Sequence, residues 1–105
     1  MLDIATHKVM QIIEYGHEID RAENELRGFL DTLNEDEQVS LIAIMWVGRE
    51  SFGPDEVAEA LETARSEANT PTADYLIGTP HFPDHLEAGL EALGMLEEDM
   101  DSEAD

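Results

Sequence analysis

The chain is predicted to be all-α: a compact bundle of five to six short helices around one central apolar helix at about residues 35–47. Three observations give that class. Apolar residues recur at offsets of three and four along most of the chain, Asn, Gly and Pro punctuate those stretches at helix-boundary positions, and no apolar run has a second run that could pair with it as a strand. With 105 residues, 42% of them apolar, the chain can bury roughly two thirds of its unfolded surface in one core but is too small for two.

The first helix is expected from a cap at Asp3 to about His17, with Ala5, Val9, Ile12 and Ile13 forming one apolar stripe. A second, about Ala22 to Leu33, carries Leu26, Phe29, Leu30 and Leu33 at core offsets and pairs antiparallel with the first. Asn34 then caps the third. Glu35, Asp36 and Glu37 fill its first turn, where the helix dipole favours acids, and Glu37 stands where it completes a capping box. From Val39 to Val47 this helix is apolar nearly all round, so it belongs at the centre of the bundle or partly in a subunit interface. A strand is the competing reading of the same run, and the upstream capping box argues against it. Gly48 is expected to supply a left-handed stop.

Gly53-Pro54 opens a fourth helix, with Val57, Leu61, Ala64 and Ala68 facing inward. Pro71 to Ile77 can form two turns ended by Gly78. Thr79-Pro80 opens the last helix, in which Phe82, Leu86, Leu90 and Leu93 face the core before a C-terminal cap at Gly94. Residues 1–96 thus form a single helical domain, and residues 97–105, with six acids and no base, form an acidic, disordered tail.

Charge sets the functional bounds. The chain holds 26 Asp and Glu against five Lys and Arg, a net charge of -21, and removing the tail still leaves -15. A phosphate backbone or an anionic membrane brought to such a surface meets repulsion instead of releasing counterions, so nucleic acid and membranes are excluded as partners. High internal salt would screen the self-repulsion of these acids, so a halophilic source is one reading and an ordinary acidic bacterial protein the other. The absence of cysteine removes thiol chemistry, disulfides and thiolate metal sites. Asp3 stands where a secretory leader would be basic, and the longest apolar run, Leu41 to Val47, falls far short of the about 20 residues of a membrane span. A soluble, cytoplasmic protein is the expectation.

Several short motifs carry a resemblance. Asp36-Glu37-Gln38 followed by Leu41, Trp46-Val47-Gly48-Arg49, Tyr75-Leu76-Ile77-Gly78-Thr79-Pro80, and Leu86 with Gly89-Leu90 together resemble a small proteobacterial family known as domain of unknown function 3775. Glu50 follows Arg49 where that pattern would place a glycine. The resemblance covers most of residues 1–93 and implies a helical fold and a bacterial cytoplasmic setting, with no activity to transfer.

Candidate chemistry then rests on single residues. His81 and His85, four apart with Asp84 between them, could bring two imidazoles and a carboxylate to one helix face as metal ligands, although Pro83 interrupts that turn and no further ligand pair is visible. Glu14 and His17 have the spacing of carboxylate-bridged di-iron helices, but those need a second such pair, which the chain lacks. Asp55, Glu59 and Glu62 share a helix face without the shaped loop that holds a divalent ion. Arg49, at the end of the most apolar helix, could clamp that helix's last carbonyls or, with Tyr75, hold an anion or a partner carboxylate. Trp46 and Phe52 read as core. Ser40, Ser51 and Ser66 have no histidine at a telling spacing, and no glycine-rich phosphate cradle occurs. No cofactor is called for. The expected function is that of a non-catalytic accessory or interaction protein, with a protein partner or a second copy of the chain as its contact; the alternative is a metal- or small-ligand-binding protein using His81, Asp84 and His85 or the Arg49 and Tyr75 pair.

Overall fold

The computed structural model describes residues 2–67 and 70–96, which form six α-helices and one short 3-10 turn joined by loops. They run α1 Thr6–His17, α2 Ile19–Asp31, α3 Glu35–Gly48, a 3-10 turn Pro54–Glu56, α4 Val57–Ser66, α5 Thr72–Gly78 and α6 Phe82–Ala92. Among the described residues no strand occurs and no helix is long and apolar enough to cross a membrane. Ala68 and the acidic tail from residue 97 onward lie outside the described residues.

The central helix forms where its caps announce it. The Glu37 backbone N–H donates to Asn34 Oδ1 at 2.7 Å and the Asn34 N–H donates back to Glu37 Oε1 at 2.9 Å, so two donors left bare by the first turn are satisfied reciprocally. Every residue from Val39 to Val47 is buried, Ser40 included. Helices α4, α5 and α6 all pack against α3, while α1 packs on α6 and α2. That coverage is why an all-round apolar helix is stable in water: each face has a neighbour to bury it.

Glycines decide how closely the layers approach. A Cβ at Gly48 would overlap the His85 carbonyl oxygen, and one at Gly89 would overlap the Ile44 carbonyl oxygen, so α3 and α6 meet backbone to backbone. Gly16 plays the same part against Pro83 and Phe82, which seats α6 on α1.

The expected stop at Gly48 is therefore corrected. Gly48 is the last residue of α3, and the left-handed residue is Glu50, at φ 67°. Asp3 does not cap α1: the helix starts after Ala5, which is exposed, and the Asp3 N–H instead donates to Ser40 Oγ at 2.8 Å. Helix α2 begins at Ile19, three residues before the expected Ala22, with only Glu18 between it and α1, and Tyr15 and Phe29 meet across that corner at 6.1 Å. The start of α6 also shifts. Thr79 and Pro80 lie in the preceding turn, His81 takes the N-cap position, and Pro83 falls at the second helical position, where its missing N–H costs nothing. Gly94, at φ 74°, ends that helix as expected.

Candidate functional site

A cleft of about 340 Å³ lies among α3, α4 and α5. Its floor is apolar. Val39, Ile42 and Trp46 follow the helical repeat along one face of α3, and Ala64 closes the floor from α4. The same face of α3 ends one turn earlier at Glu35, which shares the mouth with Glu67 at the end of α4 and Thr70 before α5. Thr72 and Tyr75, three apart on α5, complete the wall.

Two polar side chains in this wall are already committed. Gln38 donates from Nε2 to the Leu33 carbonyl at 3.0 Å and accepts at Oε1 from Thr72 Oγ1 at 2.9 Å, so its amide braces the start of α3 to α5. Tyr75 differs. Its hydroxyl accepts from Trp46 Nε1 at 2.9 Å and keeps its own proton to donate. Trp46 in turn stacks on Phe52 at 5.7 Å and meets Tyr75 edge-on at 6.5 Å, so the aromatic floor is held from two sides.

Electrostatics at the mouth are negative. Glu35 is 81% exposed, and its contact with Arg65 Nη1 is long at 3.8 Å; the same guanidinium lies closer to Asp36, at 3.1 Å. Exposed pairs of this kind hold loosely and are screened by salt. On the far side of α3 the Lys8 ammonium bonds Glu37 Oε2 at 2.6 Å, and that bond, with the Asn34 N–H on the other oxygen, holds the Glu37 carboxyl below its ordinary range. Arg27 bonds Asp74 at 2.8 Å and Glu23 at 3.0 Å, tying α2 to α5 and raising its already high pKa.

The candidate residues of the sequence separate in the fold. Tyr75 lines the cleft, whereas Arg49 does not: it lies exposed beyond the end of α3 and donates from Nε to Ser51 Oγ at 3.0 Å. Among the described residues no hydrogen bond joins Arg49 to Tyr75. His81 stands exposed in the left-handed N-cap position of α6, at φ 61°, Asp84 is exposed, and His85 is half-buried. Among the described residues no three His, Asp or Glu side chains gather in a way that could hold a metal ion. Glu14 and His17 are exposed, as are Asp55, Glu59 and Glu62. Gln38 and Thr72 were not legible as site residues, because a Gln beside a capping box and a Thr after a proline signal only helix boundaries.

A second, more open cleft of about 430 Å³ lies between the turn after α3 and α6, lined by Val47, Phe52, Pro54 and Ala88 with Glu50 at its edge. It offers few polar groups that could orient a ligand.

A family model described as Protein of unknown function (DUF3775) matches residues 23–95. That span runs from within α2 through α6, contains the α3–α5 cleft entire, and leaves α1 outside. No curated protein and no solved structure matches the chain. The match covers well over half of the sequence, and the chain belongs to the DUF3775 family of proteins of unknown function.

Proposed function

We propose that the chain is a non-catalytic accessory domain that binds a basic protein partner, with the cytoplasm as its setting. The observation that carries this reading is the disposition of charge. Three of the five basic residues, Lys8, Arg27 and Arg65, are bound to carboxylates of the chain itself, and the 26 acids of the sequence leave a net charge of -21 for a partner to meet. Such a field accelerates encounter with a positively charged protein and repels acidic competitors.

The test is affinity capture with the full chain at low and high salt, beside polyglutamate beads of matched charge. The reading expects a discrete basic protein retained by the chain, released by salt, and missing from the polyglutamate control. Recovery of the same proteins on both matrices would reduce the acidic surface to an ion exchanger and end the proposal.

A further inference from the structure

The cleft among α3, α4 and α5 combines three features that converge on one kind of occupant. Its floor of Val39, Ile42, Trp46 and Ala64 is apolar, and its volume of about 340 Å³ is more than a single methyl-sized void and enough for a large side chain with room at the mouth. Its mouth carries the carboxylates Glu35 and Glu67. Within the wall, Gln38 and Thr72 are satisfied by each other, which leaves the Tyr75 O–H as a donor that a guest could meet.

These features disfavour an anion, which would enter against two carboxylates, and they offer an apolar guest nothing to hold at the exposed mouth. A group with an apolar body and a cationic flank satisfies both. Among the acids near the cleft, Glu35 and Glu67 line its mouth, while Asp36 and Asp74 are held by Arg65 and Arg27; the choice of a basic segment as the occupant therefore rests on the net charge of -21 that the whole chain presents to a partner.

We propose that this cleft is the docking site of the partner, and that it takes one large apolar side chain from a basic segment whose neighbouring Lys or Arg residues lie on Glu35 and Glu67. This rests on the reading of the chain as a binder of a basic protein and adds the place and the chemistry of recognition. An apolar anchor in a desolvated pocket supplies most of the affinity, and the charged rim supplies orientation and rate.

The experiment is selection of a displayed library of twelve-residue peptides against the full chain, followed by titration of enriched peptides while reading the emission of Trp46, the only tryptophan. Enriched sequences are expected to carry a Leu, Ile, Met or Phe flanked by Lys or Arg, to bind one to one, and to change the Trp46 emission to saturation. Ala64→Leu, which fills the floor, is expected to weaken them at least tenfold. Glu67→Lys, on an exposed position that folding does not depend on, is expected to do the same and keeps the test sharp should the core variant fail to fold.

Five outcomes overturn the inference. Enriched peptides that are basic but lack the apolar residue, or that bind Glu67→Lys as well as the parent, would mean that the surface and not the cleft recognises them. A response to a small organic cation such as phenethylammonium that matches the best peptide would make the cleft a small-molecule site. No enrichment at all, or sedimentation showing that the chain covers the cleft with a second copy of itself, would remove the site from partner binding. Affinity capture of a basic protein could still succeed in each case, so failure here is separable from failure of the broader reading.

Discussion

Glu50 occupies a conformation that its side chain opposes. At φ 67° the Cβ of an L-residue crowds the following carbonyl, at a cost of about 1–2 kcal/mol that glycine does not bear. Gly48 therefore acts through its small size against α6, while the turn itself falls on a glutamate. Glu50→Gly is expected to stabilise the fold by about 0.5–1 kcal/mol and raise the melting midpoint by about 2–8 °C after allowance for the greater freedom of glycine in the unfolded chain. A lowered midpoint would contradict the strain. Glu37 makes the second claim at this scale. Its folded pKa is depressed, first by the bond from Lys8 and then by the Asn34 N–H, so its stabilising contribution is present above the unfolded value of about 4.3 and is lost as pH falls through the folded value. Protonation of the other acids relieves repulsion and acts with the opposite sign, so the Glu37 effect is read as a difference. Melting the parent and Glu37→Gln from pH 6 to 3 should show the gap between them closing below about pH 4.3, and a gap independent of pH would sever the link to Lys8.

At the scale of elements, the fold depends on how closely α3 and α6 approach. Gly89→Ala pushes a methyl into the Ile44 carbonyl, which must either part the helices or bend one of them; a loss of about 2–3 kcal/mol and of about 10 °C or more is expected by thermal melting. Gly28 is the control. It lies inside α2 with nothing within 4 Å of where its Cβ would be, so Gly28→Ala should gain about 0.5–1 kcal/mol from helix propensity alone. Equal effects from the two substitutions would show that backbone approach is not what glycine provides at position 89. This contrast also explains what was legible in the sequence. Helix α3 could be read because the Asn34 box and the apolar run are local signals. The roles of Gly48 and Gly89 could not, because a glycine after an apolar run signals a stop and a close approach alike, and only the position of α6 distinguishes them. The cleft was hidden for a related reason. Val39, Ile42 and Trp46 have the spacing of core residues, and their partner Tyr75 stands 29 residues beyond Trp46, so nothing local reveals that α4 and α5 leave that face partly open. Of the two residues expected to act together, Tyr75 lines the cleft, whereas Arg49 does not and donates to Ser51.

For the whole molecule, a net charge of -21 on 105 residues makes stability depend on ionic strength. Screening shortens from about 10 Å at 0.1 M salt to about 3 Å at 1 M, so the melting midpoint should climb smoothly with KCl over that range, with NaCl at matched ionic strength giving the same curve. A flat response would mean that the acids are spaced widely enough not to repel one another, and would remove the argument for a high-salt cytoplasm. The same field is proposed to bring a basic partner to the surface, and the cleft among α3, α4 and α5 is where that partner is proposed to dock. Hydrogen exchange of the full chain, alone and saturated with a selected basic, apolar-anchored peptide, tests that claim most directly. The account predicts protection concentrated in residues 35–46, 64–67 and 70–76, with α1 and the α6 face unchanged; protection spread over the acidic surface, or centred on α1 and α6, would contradict it.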